Sequence, residues 1–264
     1  MDALTALRLQ IEWGADEALA DQPIGLLNRP APSRSPQPVP APIPTVERPR
    51  EVTFARPGTP FSRALQAAEA AQSLESLRAA LVAAEGCALK DTAMNLVFVD
   101  GNPDAGLMLV GDAPGPDDDR QGRPFAGEVG AYLDRMLGSI GLDRTRALLT
   151  TLLPWRPPGD RRPTESEIAF CRPFLLRQMA LVRPRHLLLM GALTAKVLLG
   201  DARPRGRVGG KPSWAEAAIP ELGPVPALAM PSPGDAMRSP AARREAWAVL
   251  RMLHRAMNAG ALTS

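Results

Sequence analysis

Four short apolar segments alternate with four amphipathic segments between residues 107 and 258, and this alternation constrains the fold more than any other feature. The apolar segments have the length and residue types of buried strands, while the segments between them have helical length and spacing. The predicted strands are 107–110, 147–153, 186–190 and 225–230. The predicted helices are 128–140, 165–182, 192–199 and 240–258. Such alternation is typical of a parallel sheet that helices cover on both faces.

The loops that follow the four predicted strands are the expected location of a functional site. In open parallel sheets, ligands bind at the carboxyl ends of the strands, where these loops converge. The four loops are 111–127, 154–164, 191–192 and 231–240. A site is therefore expected where they meet.

The first loop, GDAPGPDDDRQGRPFAG (111–127), combines small residues, acids and one aromatic side chain. Gly111 and Gly115 let the backbone approach a ligand closely, and exposed N–H groups there can hold an anion or a carbonyl oxygen. Asp112 is placed to accept a proton or orient a water, and Phe125 can stack on a planar base. The alternative is a turn and a helix N-terminus whose dipole favours the acids. The loop lacks the Lys-Ser/Thr of a P-loop, which argues against a nucleoside triphosphate site.

Candidate metal ligands are sparse in this sequence. Asp117, Asp118 and Asp119 could bind Mg²⁺, but consecutive acids point in different directions and no further acidic partner is evident, so a solvated acidic turn is favoured. The chain has 2 cysteines, Cys87 and Cys171, which lie far apart. They form neither a disulfide framework nor a complete metal site.

The N-terminal part of the chain differs from the rest in composition. Residues 3–20 have an amphipathic helical pattern, whereas the segment 30–49 contains eight prolines and is predicted to be an extended linker. We therefore divide the chain into an N-terminal helical segment (1–28), a Pro-rich linker (29–60) and a folded domain (61–264). The tethered helix can dock on its own domain or bind a protein partner, and the sequence leaves both open.

Charge and hydropathy set only general limits on function. The net charge of +3 at pH 7 is compatible with a polyanionic partner such as nucleic acid, but it is weak evidence alone. No apolar segment reaches the roughly 18 residues of a membrane span. The N-terminus also lacks the basic and apolar regions of a signal peptide. We expect a cytoplasmic monomer with no membrane association.

Four blocks of the sequence resemble the family 4 uracil-DNA glycosylases. GNPDAGLMLVGDAPGPDDDRQGRPFAGEVGAYLDRML is similar to the family's first motif region, with its G-E-x-P-G, acidic and G-R-P-F-x-G elements, and is the most specific. PWRPPGDRRPTESEIAFCRPFLLRQMALVRP and MGALTAKVLLG resemble the next two blocks. MPSPGDAMRSPAARREAW aligns with the last motif, H-P-x-x-L-L-R-x-P, in a degraded form. The resemblance extends from about Cys87 to about Leu253.

This resemblance implies both a fold and an activity. The fold is a three-layer α/β/α sandwich with a central four-stranded parallel sheet, in agreement with the strand and helix pattern. The activity is base excision repair: the N-glycosidic bond of uracil is hydrolysed after the base has been flipped out of the DNA. DNA, including single-stranded DNA, is therefore the expected partner.

The resemblance also assigns roles to individual positions. Phe125 stacks on the base, Thr151 reads its edge, and Ser232 stabilises negative charge on the leaving base. The implied catalytic residues are Asp112, Ala113 and Ser232. The implied base-binding residues are Gly111, Gly115, Phe125 and Thr151. The implied DNA-binding residues are Arg238, Arg243 and Arg244.

The sequence departs from the family pattern at the iron–sulfur ligands. The family holds a [4Fe–4S] cluster with four cysteines. Only Cys87 and Cys171 match, while Lys90 and Trp155 stand at the other two positions. Two thiolates do not hold a cubane cluster. We therefore expect no cofactor, with Trp155 filling the vacated volume and the two cysteines as remnants of the ligand set.

Two further departures concern the reaction. The family's base-reading Asn is Thr151, which cannot make the paired donor and acceptor contact to uracil at the same reach. The His of the last motif is Ser232, and losing one charge-stabilising donor costs about 10²–10³ in rate in other enzymes. The family's Leu-Leu wedge is replaced by Ala236-Met237.

Three functions remain open at this point. The chain can be a DNA glycosylase that is slow on uracil or has an altered base preference. It can be a catalytically silent relative that still binds DNA or a flipped base. It can also be an interaction protein that recruits a partner through its N-terminal helix and Pro-rich linker.

Overall fold

The computed structural model describes residues 59–200 and 212–260, with side chains as far as residue 258. The chain divides into two units, Met1–Glu51 and Val52–Ser264, and every described residue belongs to the second. The predicted N-terminal helical segment and nearly all of the Pro-rich linker lie outside the described residues, so the three domain boundaries stay predictions. Within the described ranges, no helix is long and apolar enough to cross a membrane.

Six strands in the described part of the chain form one mixed sheet. They are β1 (Val99–Gly101), β2 (Leu107–Gly111), β3 (Leu148–Thr151), β4 (His186–Met190), β5 (Ala215–Ile219) and β6 (Gly223–Met230). Their order across the sheet is β1-β3-β2-β4-β6-β5. The four central strands are parallel, and β1 and β5 pair antiparallel at the two edges.

Nine α-helices are present within residues 59–200 and 212–260. They are α1 (Pro60–Ala70), α2 (Leu74–Ala83), α3 (Ala88–Thr92), α4 (Pro116–Gln121), α5 (Gly127–Gly138), α6 (Glu165–Val182), α7 (Ala192–Leu199), α8 (Pro233–Arg238) and α9 (Pro240–Gly260). A capping box sets the start of α6, because Thr164 accepts a hydrogen bond from the backbone of Glu167 while the Glu167 side chain bonds back.

Alternate residues of each central strand face opposite helical layers, as the two-residue period of a strand requires. Leu109 of β2 lies in a buried cluster with Leu133 of α5 and Leu250 of α9. Its neighbour Val110 lies in a different cluster, with Met179 of α6. The sheet is thus the middle of three layers.

The predicted α/β/α sandwich with four central parallel strands is confirmed, and two edge strands add to it. The edge strands escaped prediction for a physical reason. β1 has 3 residues, and β5 reads AEAAI, so neither gives the apolar pattern by which a strand is recognised.

The register of the central strands aligns their carboxyl ends. Gly111 of β2 pairs with Thr151 of β3 and with Met190 of β4, and Met190 pairs with Met230 of β6. The loops after these strands therefore leave the sheet at one edge, which is where the candidate site was expected.

Candidate functional site

A cavity of about 420 Å³ lies at the carboxyl edge of the central strands. This volume is in the range of small-molecule sites, roughly 300–1,000 Å³. The lining residues are Gly111–Asp118, Phe125, Ala126, Val129, Pro157, Asp160, Arg161, Met190, Ser232–Gly234 and Arg238. All predicted catalytic and base-binding residues line the cavity except Thr151, and of the predicted DNA-binding arginines Arg238 does so.

Asp112 is held rigidly at the end of β2 by the first turn of α7. Its carboxylate accepts hydrogen bonds from the backbone N–H of Leu193 at 3.3 Å and of Thr194 at 2.7 Å, and from the Thr194 hydroxyl at 2.7 Å. A side chain at Gly191 would overlap this carboxylate, which explains the glycine between β4 and α7. A carboxylate has about four lone-pair sites, so Asp112 keeps acceptor capacity toward the cavity that it lines.

Phe125 has an unusual backbone and a buried ring. Its φ is +53°, in the left-handed region that aromatic residues rarely adopt. The side chain packs in the main core cluster, and the residue is 7% exposed. A Cβ at Gly111 would lie 2.6 Å from Cζ of this ring. Gly111 is therefore required by the ring that crosses it.

Asp118 spans the first loop from inside. One carboxylate oxygen accepts from the backbone N–H of Gly115 at 3.0 Å, and the other from that of Ala126 at 2.6 Å. Burial raises the pKa of this carboxyl above its ordinary value, against the effect of these two donors. The predicted solvated acidic turn is thus inaccurate for Asp118 and Asp119, since both are buried and bonded to backbone N–H groups.

Thr151 does not line the cavity, although it stands beside Gly111 in the sheet. The residue is buried, and its hydroxyl donates to the carbonyl oxygen of Leu153 at 2.6 Å. The hydroxyl of Thr151, which the resemblance assigns to base reading, is therefore bonded to the backbone two residues further along the chain. Its role in base binding stays a prediction.

Ser232 lines the cavity and also caps α8. Its hydroxyl accepts from the backbone N–H of Asp235 at 3.1 Å and donates to the Asp235 carboxylate at 2.7 Å. Asp235 in turn pairs with Arg238 at 2.9 Å. The hydroxyl proton that could stabilise a leaving base is thus directed to a carboxylate.

The remaining predicted residues of α8 and α9 differ in their exposure to solvent. Arg243 donates to the carbonyl oxygens of Ala236 at 3.1 Å and Met237 at 2.8 Å, which ties it to the end of α8. Arg244 is exposed on α9. Ala236 is fully buried, so it cannot act as a protruding wedge, and Met237 is half-buried.

Two charged residues of the loop after β3 line the cavity, and neither is among the catalytic, base-binding or DNA-binding residues that the resemblance implies. Asp160 pairs with Arg156 at 2.8 Å, which lowers the pKa of the Asp160 carboxyl. Arg161 binds Glu167 through two hydrogen bonds of 2.9 and 2.6 Å, and this contact lowers the pKa of Glu167 to about 2. Their place after a central strand was the available signal.

The residues at the cluster positions of the family do not fit a [4Fe–4S] group. Cys87 and Cys171 are buried, and a hydrogen bond from Cys171 lowers the pKa of Cys87 to about 7. Lys90 donates to the carbonyl oxygens of Val82 and Ala84 at the end of α2. In the described ranges, no group of three or more His, Cys, Asp or Glu side chains could hold a metal ion.

Trp155 shows what occupies the space around these two thiols. The residue is 3% exposed and belongs to the same buried cluster as Cys87 and Cys171. The indole therefore packs in the region where the family resemblance implies a cluster, as predicted from its position.

Comparisons with known proteins agree with this geometry. Residues 98–251, more than half of the chain, match the family model of the uracil DNA glycosylase superfamily. The type-4 uracil-DNA glycosylase of Sulfurisphaera tokodaii is 36% identical over 127 residues, which are 48% of this chain and 58% of that protein. The corresponding protein of Archaeoglobus fulgidus is 37% identical over 127 residues, 48% of this chain and 64% of the relative. The type-4 enzyme of Pyrobaculum aerophilum is 33% identical over 126 residues, which are 48% of this chain and 64% of that protein.

The region that matches the family model, residues 98–251, includes every residue that lines the cavity. The chain spans 58–64% of the length of the three relatives. The three relatives are type-4 enzymes, which confirms the resemblance seen in the sequence blocks. The chain therefore belongs to the uracil-DNA glycosylase superfamily.

Proposed function

We propose that this chain is a DNA glycosylase-like protein of base excision repair that hydrolyses the N-glycosidic bond of a flipped uracil or a related base. The observation that carries the proposal is the cavity at the strand ends, which Asp112 and Phe125 both line. A base extruded from DNA needs a pocket with an aromatic wall and polar groups near the sugar. The cavity supplies both.

The retained residues fit the charge changes of the reaction. As the N-glycosidic bond breaks, positive charge develops on the sugar and negative charge on the base. Asp112, immobilised by three hydrogen bonds, supplies a fixed negative charge beside the sugar, and the backbone from Gly111 to Gly115, with Ala113, borders the attacking water. Preorganised charges of this kind need no rearrangement during the reaction. Phe125 then stacks on the base.

The altered residues argue for an activity that is weaker than that of the named relatives, or shifted to another base. Thr151 gives its hydroxyl proton to Leu153, and Ser232 gives its own to Asp235. Neither is directed at a base in the cavity. The loss of one donor to developing negative charge costs about 10²–10³ in rate, so a slow enzyme is expected.

The same two hydrogen bonds favour a second candidate, a catalytically inactive protein that binds DNA or a flipped base. A pocket that keeps Phe125, but in which the hydroxyls of Thr151 and Ser232 are bonded elsewhere, can still hold a base without cleaving its N-glycosidic bond. Arg238 at the cavity mouth and exposed Arg244 would contact DNA phosphates in either case, with Arg243 beside them.

The proposal also covers cofactor, partners and location. Two buried thiols, with Lys90 and Trp155 at the other family positions, support a protein that works without an iron–sulfur cluster. We further propose a cytoplasmic monomer that acts on DNA, including single-stranded DNA. The N-terminal segment and Pro-rich linker, with their boundaries at residues 28 and 60, remain candidates for binding a protein partner.

The decisive experiment is excision of uracil from single- and double-stranded oligonucleotides, followed by alkali to cleave abasic sites. Slow cleavage at excess protein is the expected result. Absence of cleavage at any protein concentration overturns the proposal for uracil. Retardation of the same oligonucleotides in a gel at low salt, without cleavage, favours the inactive binder. Iron analysis of the purified protein tests the cofactor proposal, since stoichiometric iron would contradict it.

A further inference from the structure

The peptide group that joins Phe125 to Ala126 is held from both sides. Its carbonyl oxygen, on Phe125, accepts a hydrogen bond of 2.6 Å from Nη2 of Arg144. Its N–H, on Ala126, donates at 2.6 Å to Oδ1 of Asp118. Charge-assisted hydrogen bonds are about twice as strong as neutral ones, so these two contacts fix the plane of one peptide firmly.

Three further residues hold the guanidinium of Arg144 in place. Its guanidinium pairs with Asp100 of β1 and binds Asp134 of α5 at 3.0 and 3.3 Å. It also donates to the carbonyl oxygen of Pro124 at 3.2 Å. A planar guanidinium with this many partners has no rotational freedom left. The carbonyl of Phe125 therefore meets a donor whose position the sheet and α5 determine.

Asp118 is a buried carboxyl group inside the first loop. The residue is 8% exposed, and burial of an ionised carboxyl is unfavourable, so its pKa rises. Strongly buried titratable groups of this kind cluster at functional sites. The carboxylate sits between the two parts of the first loop that line the cavity, Gly115 and Ala126.

The peptide that these two residues hold follows a residue with a strained backbone, Phe125. A left-handed φ of +53° is unfavourable for an aromatic residue and persists when the surrounding structure enforces it. Relaxation of Phe125 toward a common conformation would rotate its Cα–Cβ bond. The ring would then leave the position across Gly111 from which it borders the cavity.

We propose that Asp118 and Arg144 are positioning residues that aim the Phe125 ring at the base held in the cavity. This inference rests on the proposed function, because it assigns the ring a base to stack on. Asp118 and Arg144 act through Phe125, since both carboxylate oxygens of Asp118 accept from backbone N–H groups and the Arg144 guanidinium donates to the Phe125 carbonyl. We call Asp118 and Arg144 together the clamp. Their positioning role explains why these two charged side chains converge on one peptide.

The first test is a double-mutant cycle on uracil excision. Asp118→Asn removes one of the two N–H acceptors and is expected to lower kcat/KM about tenfold, since stacking of a base on an aromatic ring contributes about 1–3 kcal/mol. In the Phe125→Ala background the same change is expected to alter kcat/KM by less than about twofold, because there is no ring left to aim. An undiminished loss in that background overturns the proposal.

Asp119→Asn is the matched control for this substitution. Asp119 is equally buried, and its carboxylate accepts from the backbone N–H groups of Met94 and Asn95, away from Phe125. It is expected to lower the unfolding temperature as Asp118→Asn does, with kcat/KM within about twofold of the parent. A tenfold loss of kcat/KM in this control would show that general loosening, and not ring position, governs activity.

Arg144→Lys tests the other side of the clamp, with Arg177→Lys as its control. Lys keeps the charge but cannot bind Asp100, Asp134 and the Phe125 carbonyl together. Arg177 binds Glu221 and the carbonyl of Ala71, a comparable set of acceptors far from the cavity. We expect a loss of kcat/KM in the first variant that the Phe125→Ala background again abolishes, and none beyond about twofold in the second.

A readout without turnover separates this inference from the proposed function. In Asp118→Asn, hydrogen exchange at the Ala126 amide is expected to accelerate at least about tenfold, and the ring resonances of Phe125 to shift, while Asp119→Asn leaves both unchanged. If these changes occur but no variant excises uracil, the proposed function fails and the clamp stands. If Ala126 exchange and the Phe125 resonances are unchanged in Asp118→Asn, the clamp is refuted whatever the activity.

Discussion

The first and last loops of the cavity are built in opposite ways. In the first loop, residues 111–127, the polar contacts reach distant elements: Asp112 bonds to Thr194, 82 positions away, and Arg144 reaches Phe125 across 19 positions. In the last loop, residues 231–240, Ser232 bonds to Asp235 and Asp235 to Arg238, each 3 positions apart. The first loop is thus joined by polar contacts to distant elements, whereas the polar side chains at the start of α8 bind one another.

The contrast between the two loops indicates where the chain tolerates a change of chemistry with little loss of stability. A substitution in the first loop disturbs contacts that also join β2 to α7 and the loop to Arg144. Substitution of Ser232 in the last loop removes a helix cap that contributes about 1 kcal/mol. The family motif is correspondingly well kept at 111–127 and degraded at 231–240. The structure thus gives a physical reason for the pattern that the sequence shows.

The largest expected effect comes from restoring the family residues opposite the first loop. Thr151→Asn with Ser232→His is expected to raise uracil excision about 10²-fold, since it returns a base-reading amide and one donor to the leaving base. The measurement is single-turnover cleavage of a uracil oligonucleotide. Such a gain requires that the first loop still forms a functional wall of the cavity.

The two single variants are the controls for this gain, and thermal unfolding shows whether each protein is folded. Ser232→His alone is expected to give the larger part of the increase, because it supplies the missing charge stabilisation. A folded double variant with no gain would contradict the idea that the first loop is functionally intact. The cavity would then have lost its function on both sides.

A second prediction concerns the close packing behind the first loop. A Cβ at Gly130 of α5 would overlap the carbonyl of Phe125, the atom that Arg144 binds. Gly130→Ala is therefore expected to destabilise the fold by about 2–3 kcal/mol through overpacking, measured by chemical denaturation. Gly138→Ala, at the end of the same helix, has nothing within 4 Å of its Cβ and should be neutral or slightly stabilising. Equal stability of the two variants would refute the tight-packing account of this wall.

The fold was more predictable from sequence than the site, and the reason is physical. A short continuous apolar run marks a buried strand such as Leu107–Gly111, and helical length with a capping residue at the start marks a helix such as Glu165–Val182, so both are visible locally. The role of Asp118 depends on a contact 8 positions away, and that of Arg144 on contacts with β1, the first loop and α5. No local pattern encodes where those side chains end.

Hydroxyl directions were equally invisible in the sequence. Resemblance placed Thr151 and Ser232 at the base, but each has a nearby acceptor that satisfies it more simply, Leu153 and Asp235. Local hydrogen bonds of Ser and Thr to neighbouring positions compete with ligand contacts. A motif alignment therefore locates such a residue without showing what its hydroxyl binds.

The loop after β3 is joined to α6 by the ion pair between Arg161 and Glu167. The stability that this pair contributes should depend on pH. Arg161 holds the pKa of Glu167 at about 2, below its ordinary 4.5. A lowered pKa contributes stability above the unfolded value, which is lost as pH falls through the folded value. Glu167→Gln is expected to cost about 1–2 kcal/mol at pH 7. The difference in unfolding temperature from the parent should shrink between pH 4.5 and 2.

Glu165→Gln is the control for this pH dependence. Glu165 lies on the exposed first turn of the same helix and should change stability by less than about 0.5 kcal/mol at any pH. A gap between Glu167→Gln and the parent that persists unchanged to pH 2 would mean that Glu167 is not ionised in its contact with Arg161.

The smallest expected effect tests the local character of the last loop. Ser232→Ala removes the cap of α8 and is expected to lower the free energy of unfolding by about 0.5–1 kcal/mol. Because the hydroxyl proton points to Asp235, uracil excision should fall by less than about tenfold, well short of the 10²–10³ that a true leaving-group donor supplies. Parallel denaturation and single-turnover measurements check both parts. A hundredfold loss of excision at nearly unchanged stability would show that Ser232 turns from Asp235 to the base when DNA binds, and the last loop would then be a working wall of the cavity.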